Sequence, residues 1–336
     1  MPNRSSLVIV AVAAALGLLV VIVGVSPQVR AGPPPPVTFL DPASVRGAGK
    51  TIALSVRTVD GVPLVEPQRP IGAPPLRALA ASPDGRAVVI GNLERGQVGP
   101  LTIARADGSQ LEVALPGVRG AAFDALGAWL AVVDLTGALW RVDVQTGAAT
   151  HLADGPFGSE PAILPDGSIL AVRLSSVDAP TWAAGVTVDS VSGAETPVLP
   201  SPEAHDQLVY QAVPLADGSV ALVRHRTGGG VAVVRAAPDG SEASLADLND
   251  ASGVAVSPDA GWVAWTAAGR VRIASTGPDP VVRDLGAGTG VRFSPDGSLL
   301  LVFSAERSLV MDRAGRHLAE TGISACWLGD GRGCQP

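Results

Sequence analysis

Short apolar runs separated by turn residues fill most of this chain. From about residue 76 onward, runs rich in Val, Ile, Leu, Ala and Trp are divided by stretches of Gly, Pro, Asp and Ser. No run after residue 35 has the period of an amphipathic helix, and few runs alternate between apolar and polar positions. Strands with apolar residues at successive positions are covered on both faces. The pattern therefore predicts an all-β protein whose sheets pack against one another.

A turn phrase related to Ser-Pro-Asp-Gly returns six times along the chain. Successive Asp residues of the phrase are 40, 42, 51, 42 and 37 residues apart. A period of about 40–45 residues is the length of one four-stranded propeller blade. In the full form of the phrase, Pro and Asp favour a tight turn and Gly supplies the left-handed residue that returns the chain. The second copy reads Asp-Ala-Leu-Gly, the fourth has Ala216 in place of Pro, and the fifth ends in Ala260. The Asp residues of these repeat turns are Asp84, Asp124, Asp166, Asp217, Asp259 and Asp296.

Both ends of the repeat array look like parts of one further unit. Thr51–Thr58 and Pro63–Val65 flank Val59-Asp60-Gly61 as a third and a fourth strand would. Ile323–Leu328, followed by Gly329-Asp330-Gly331, looks like a first strand and its turn. The sequence thus predicts a β-propeller of about seven four-stranded blades, six from contiguous repeats and one closed by N- and C-terminal strands. A ring of six blades with ragged ends is the alternative.

The N-terminal segment predicts where the propeller is located. Leu7–Val25 is nineteen consecutive apolar or Gly residues, preceded by Arg4. About twenty such residues span a membrane, so we expect a single-pass signal-anchor helix with the propeller on the extracytoplasmic side of the cell membrane. Cleavage after Ala31, which would give a secreted protein, is the alternative. The expected domains are a transmembrane segment over 1–30, a Pro-rich linker over 31–49 and the propeller over 50–336.

Charge and motifs narrow the function classes. A net charge of −7 does not favour a nucleic-acid partner. Gly47-Ala48-Gly49-Lys50-Thr51 ends like a phosphate-binding loop, but Ser44 stands where that motif needs a Gly. The predicted first strands are almost entirely apolar, whereas a channel metal needs polar ligands there. We therefore predict no catalytic residue, metal or cofactor; a propeller enzyme of the lactonase or quinoprotein-dehydrogenase type is the alternative.

The longest predicted loops all emerge on one face of the ring. Insertions concentrated on one face are typical of a binding surface in a repeat fold. Trp182 is the candidate anchor, because exposed Trp is enriched at interaction hot spots; the alternative is that it only covers the end of a blade. The candidate partner-binding residues are Glu94, Arg95, Asp178, Trp182, Glu203, His205, Asp206, His225 and Arg226.

The repeat resembles that of a known group of proteins. Residues 291–297, Val-Arg-Phe-Ser-Pro-Asp-Gly, and residues 80–85, Ala-Ala-Ser-Pro-Asp-Gly, resemble the TolB-like propeller repeats of bacterial envelope proteins. The resemblance covers Arg77 to Leu328. WD-repeat proteins share the architecture, but their Gly-His and Trp-Asp dipeptides are missing. The resemblance implies a non-enzymatic scaffold that binds an envelope or membrane protein.

Two cysteines lie near the end of the chain. Cys326 and Cys334 are equidistant from Asp330, at the centre of a Gly-Asp-Gly turn. On an antiparallel hairpin they would face each other closely enough for a disulfide. We expect this bond to fasten the last strand; two unpaired thiols are the alternative.

Overall fold

All regular elements of the described residues are β-strands. The structure, a computed structural model, describes residues 12–14, 17–19, 37–48, 51–58, 63–65, 68–70, 76–94, 97–115, 117–158, 160–178, 180–199, 207–226, 229–304, 307–321 and 325–327. The chain divides into two units, residues 1–33 and residues 34–336. The predicted all-β class is confirmed for these residues.

The first unit contains one described hairpin. Strand β1 (Val12–Ala14) pairs antiparallel with β2 (Gly17–Leu19). Most of the segment expected to span a membrane, residues 7–25, lies outside the described residues. Within the part of the chain that the structure describes, no helix is long and apolar enough to cross a membrane.

Six antiparallel four-stranded blades follow the six repeats, each in the order of the chain from first to fourth strand. The first two blades share one continuous sheet through a single pairing of Val118 with Val98. Four strands precede blade 1 in the second unit: β3 (Val37–Ala48), β4 (Thr51–Thr58), β5 (Pro63–Val65) and β6 (Gln68–Pro70).

The blade strands are as follows. Blades 1 to 3 contain β7 (Leu76–Ala81), β8 (Ala87–Glu94), β9 (Gln97–Arg105), β10 (Gln110–Val113), β11 (Val118–Phe123), β12 (Trp129–Asp134), β13 (Leu139–Asp143), β14 (Ala149–Ala153), β15 (Ala162–Ile163), β16 (Ile169–Leu174), β17 (Ala183–Val188) and β18 (Glu195–Pro197). Blades 4 to 6 contain β19 (Gln207–Pro214), β20 (Val220–Arg226), β21 (Val231–Ala236), β22 (Glu242–Leu248), β23 (Val254–Val256), β24 (Trp262–Ala267), β25 (Arg270–Ser275), β26 (Val282–Ala287), β27 (Gly290–Phe293), β28 (Leu299–Phe303), β29 (Ser308–Asp312) and β30 (His317–Thr321).

One further sheet joins strands from opposite ends of the second unit. The last strand, β31 (Ala325–Trp327), pairs with β3, which pairs with β4; β5 and β6 both pair with β4. The two segments expected as third and fourth strands are β4 and β5. Strand β3 falls in the stretch expected as a linker. It was not predicted as a strand because it contains Pro42, which lies within a register shift between Asp41 and Arg46. Pro is confined to edges and bulges of strands, so it argues against a strand when read from sequence alone.

The second strand of each blade is mainly apolar because it faces a neighbour on either side. In β12, Leu130 and Val132 join the core between blades 1 and 2, whereas Ala131 and Val133 join the core between blades 2 and 3. The same alternation gives cores between blades 3 and 4, 4 and 5, and 5 and 6. Trp327 of β31 packs on blade 6, and both β31 and β3 lie against β7 of blade 1.

The turn phrase holds its shape through hydrogen bonds to its first and third residues. In blade 6 the Gly297 amide donates to the Ser294 carbonyl at 2.8 Å, and the Ser294 hydroxyl donates to Asp296 Oδ1 at 2.6 Å. The Leu299 amide donates to Ser294 Oγ at 2.9 Å, which fixes the start of the second strand. Gly297 has a φ of 70° and therefore occupies the left-handed region, as the phrase predicts.

The second copy of the phrase moves the carboxylate by two positions. Asp124 occupies the first position and accepts hydrogen bonds from the amides of Ala128 at 2.6 Å and Trp129 at 2.8 Å. Leu126 therefore takes the third position, where the other five copies have Asp, and it is 86% exposed. Asp124 thus takes the place of the Ser and the Asp that bond to each other in the first, fifth and sixth copies.

Replacing Asp296 with Ala should lower the free energy of unfolding by about 1–2 kcal/mol. The turn would lose the acceptor for the Ser294 hydroxyl and for the Ser298 amide, which donates to Asp296 Oδ1 at 3.0 Å. The matched control is Asp279→Ala at an exposed position, for which we expect a change within about 0.5 kcal/mol. Urea unfolding measures both variants, and equal losses would contradict this role for the turn carboxylate.

Acid should destabilise the ring through the same turns. Hydrogen bonds from the Ser168 hydroxyl and amide lower the pKa of Asp166, and those from Ser219 lower the pKa of Asp217. A carboxyl whose pKa is lower in the folded state adds stability above its unfolded pKa, about 3.9, and this stability is lost as pH falls through the folded value. We expect the free energy of unfolding to be flat from about pH 7 to 5 and to fall below about pH 4. The double variant Asp166→Asn, Asp217→Asn should reduce that acid slope; an unchanged slope would contradict the assignment.

Candidate functional site: the loop face and the channel

Two faces of the ring can be defined from the strand order. The turn phrases and the turns between third and fourth strands lie on one face, the turn face. The connections from second to third strands and from each blade to the next lie on the opposite face, the loop face. This follows because all neighbouring strands within a blade are antiparallel. The described members of the predicted partner-binding set belong to the loop face, namely Glu94, Asp178, Trp182, His225 and Arg226.

Trp182 lies on an exposed loop of blade 3 whose two ends are tied together. The Ser175 amide donates to the Trp182 carbonyl at 3.0 Å. The Ser175 hydroxyl oxygen accepts from the amides of Thr181 at 2.7 Å and Trp182 at 3.2 Å. The Trp182 side chain is nevertheless 40% exposed. Asp178, in the same loop, is exposed as well, so this loop presents an aromatic ring and a carboxylate from an ordered base.

His225 and Arg226 end the second strand of blade 4 on the same face. Arg226 forms an ion pair with Asp247. The His225 ring stacks on the ring of Tyr210 in the neighbouring inner strand, with centroids 4.4 Å apart and planes 29° apart. Both residues remain exposed. His225 therefore lies at the loop face and contacts the inner strand of its blade through Tyr210.

The other predicted residues are only partly covered by the structure. Glu94 ends strand β8. Cys326 lies within β31, whereas its predicted partner Cys334 lies outside the described residues, so the disulfide stays a prediction. Four further candidates of the loop face also lie outside the described residues, namely Arg95, Glu203, His205 and Asp206.

Sequence reading missed a polar cluster in the channel that the inner strands surround. We call it the channel cluster: Glu160, which precedes β15, Tyr210 and Gln211 of β19, and Arg292 of β27. Arg292 Nη2 donates to Glu160 Oε1 at 3.2 Å, and Gln211 Nε2 donates to Glu160 Oε2 at 3.0 Å. Blades 3, 4 and 6 thus meet at one carboxylate.

Arg292 differs from the residues at the equivalent position of the other repeats, and this difference is visible in the sequence. It lies five residues before the left-handed residue of its turn, where the other five units have a small apolar residue. The side chain is buried, with the whole residue 8% exposed. Aligning the six units on their turns would have singled it out, but its partner Glu160 is 132 residues away and no local pattern predicts that contact. The equivalent residues are Ala80, Ala122, Ala162, Val213 and Ala255.

Tyr210 lies at a bulge of its strand. Val209 pairs with Arg224 and Gln211 pairs with Val223, so Tyr210 is the extra residue on β19. Its hydroxyl is buried and has no hydrogen-bond partner among the described residues. Burial, and secondly the negative charge of Glu160, raises the pKa of the phenol. Tyr210 is therefore a neutral hydroxyl next to a carboxylate that it does not contact.

Two pockets open on the turn face between blades. One, of about 590 Å³, lies between blades 5 and 6, where Arg313 and Arg283 lie 5.5 and 5.9 Å from the ring of Trp262. The other, of about 320 Å³, lies between blades 2 and 3, where Arg141 lies 4.8 Å from the ring of Trp129. Over the described part of the chain, no group of three or more His, Cys, Asp or Glu residues could hold a metal ion.

Comparison with known proteins identifies the architecture. No family model matches the sequence, and no curated protein matches it either. Among solved structures, the chain is similar to an oligogalacturonate lyase in complex with manganese, at 14% identity and a TM-score of 0.56, over 84% of each chain. It is similar to the β-propeller domain of Myceliophteria thermophila Cps50 (Swd1), at 12% identity and a TM-score of 0.53, over 80% of this chain and 97% of that one. It also aligns with TolB from Acinetobacter baumannii, at 17% identity and a TM-score of 0.49, over 87% of this chain and 78% of that one.

At identities of 12–14%, these likenesses show the fold but not the activity. The first two likenesses agree with a β-propeller built from the antiparallel blades described above. The chain therefore has the β-propeller fold.

Proposed function

We propose that this protein is a membrane-anchored β-propeller that acts as a non-enzymatic, protein-binding scaffold outside the cytoplasm of a bacterium. Its partner is an envelope or membrane protein, bound on the loop face. The anchor is the apolar segment over residues 7–25.

The observation that carries this proposal is the ordered exposure of Trp182. Exposed Trp side chains that lose little freedom on binding make strong interface anchors. The hydrogen bonds from Ser175 and Thr181 hold the base of the loop before any partner arrives. The cost of ordering the loop is then already met in the free protein, which favours tight binding.

Closure of the ring by both ends of the chain is part of the same proposal. We infer that the sheet of β31, β3, β4 and β5 is a seventh blade. Its support is the packing of Trp327 on blade 6 together with the contact of β31 and β3 with blade 1. A closed ring has no exposed inner edge and gives the loop face a fixed geometry.

Trp182→Ala should weaken partner capture by about 30-fold or more, the equivalent of a hot-spot loss of about 2 kcal/mol. Ser175→Ala should also weaken capture, by a smaller factor, because it frees the loop base while leaving the indole in place. Both variants are made in the full-length protein and compared by crosslinking in membranes, with the captured protein identified and quantified by mass spectrometry.

The matched control is Leu126→Ala, which removes an exposed apolar side chain from the turn face. We expect it to leave capture of the same partner unchanged. Thermal melts of all three variants should agree with the parent within about 2 °C. Equal loss of capture from Trp182→Ala and Leu126→Ala, or loss that follows the melting temperature, would contradict the assignment of the loop face.

A further inference from the structure

We propose that the channel cluster is a receptor for a carboxylate group of a ligand, with Arg292, Gln211 and Tyr210 as hydrogen-bond donors and Glu160 as an internal carboxylate that occupies the receptor when the ligand is absent. The ligand class is a small carboxylic acid or the carboxylate of a peptide. The inference does not rest on the proposed scaffold function, since it concerns the channel and not the loop-face Trp182.

Packing does not explain an arginine at position 292. Five of the six units fill this place with Ala or Val, so the ring closes around small apolar side chains there. A buried ion pair adds little stability over a well-packed apolar residue, because both charges must be desolvated. Arg292 is therefore better explained by a ligand than by stability, and its planar guanidinium is the side chain best suited to carboxylates.

The contact between Arg292 and Glu160 is longer than the ion pair between Arg270 and Asp284. Arg292 Nη2 lies 3.2 Å from Glu160 Oε1. Arg270 instead meets Asp284 through two hydrogen bonds of 2.6 and 2.8 Å. Charge-assisted hydrogen bonds are strongest near 2.7–2.9 Å and in paired form. A ligand carboxylate that is free to orient can therefore compete with the tethered carboxylate of Glu160.

Tyr210 indicates that the receptor has a donor that Glu160 does not use. Its hydroxyl is buried without a partner among the described residues, and a buried donor left unpaired is costly. The bulge places Tyr210 out of the register of its strand, and burial together with the negative charge of Glu160 raises the pKa of its phenol. Because the phenol stays protonated at neutral pH, it can donate to a carboxylate placed slightly differently from that of Glu160.

Water can reach the cluster from the channel. The side chain of Glu160 is about one-third exposed. Glu160 precedes its strand instead of lying within it, so its carboxylate can turn into solvent without breaking a strand pairing. Displacement by a ligand then requires the carboxylate of Glu160 to leave Arg292 and Gln211.

The test uses saturation-transfer NMR titrations of the full-length protein with acetate, N-acetylglycine and N-acetylglycinamide. We expect the two acids to bind and the amide not to bind. Glu160→Gln should tighten binding of the acids at least tenfold, because it removes the competing charge while keeping the size of the side chain. Arg292→Met should abolish binding, and Tyr210→Phe should weaken it several-fold. Arg270→Met, which removes an exposed paired arginine, should leave binding unchanged.

Opposite effects of Glu160→Gln and Arg292→Met on binding of the acids distinguish a ligand receptor from an ion pair that only stabilises the fold. A purely structural ion pair would lower the melting temperature in both variants and would bind none of the probes, and that result would overturn the proposal. Binding that survives in Arg292→Met, or that includes the amide equally, would overturn it as well. Preference for N-acetylglycine over acetate would identify a peptide carboxylate as the source, and equal affinity a small free acid. Capture of a protein partner by Trp182 is scored separately, so either proposal can fail alone.

Discussion

The need to cover both faces of every blade governs this structure. Strands such as β12 and β28 have apolar side chains on both faces, and burial of such surface contributes about 25 cal/mol per Å². No blade can meet this requirement alone, so each needs a neighbour on either side. Blades 1 and 6 obtain their outer cover from β31 and β3, strands that belong to opposite ends of the second unit. The proposed closure by these strands would give every blade a neighbour on both sides.

Features encoded within one repeat were predictable, and features that depend on several repeats were not. The turn phrase gave the six blades because Ser, Asp and Gly bond within four or five residues, as Ser294, Asp296 and Gly297 do. Strand β3 was missed because Pro42 interrupts it at a register shift. The channel cluster was missed because Arg292 and Glu160 meet only after the ring has formed. Trp182 was predicted on a loop, but its hydrogen-bonded base was not.

The candidate surfaces follow from how the repeat is varied. At positions that only fill a core, the six units have similar residues; five of them have Ala or Val at the position of Arg292. Where one unit differs, the structure shows a polar cluster, as at Arg292, or an exposed apolar residue, as at Leu126. Leu126 is exposed because Asp124 has taken over the hydrogen bonds of its turn. His225, stacked on Tyr210, connects the loop face to the channel cluster. A partner on that face and a ligand in the channel would therefore contact neighbouring side chains of blade 4.

Hydrogen exchange of a Trp327→Ala variant tests ring closure most directly. Removing a buried Trp should lower the free energy of unfolding by about 3–5 kcal/mol. The Trp327 side chain packs where the last strand covers blade 6. Exchange followed by mass spectrometry should then show faster exchange in β28 of blade 6 and in β7 of blade 1 together, within one cooperative unfolding transition. Faster exchange confined to residues 325–327, with β7 and β28 as protected as in the parent, would contradict closure of the ring by its two ends.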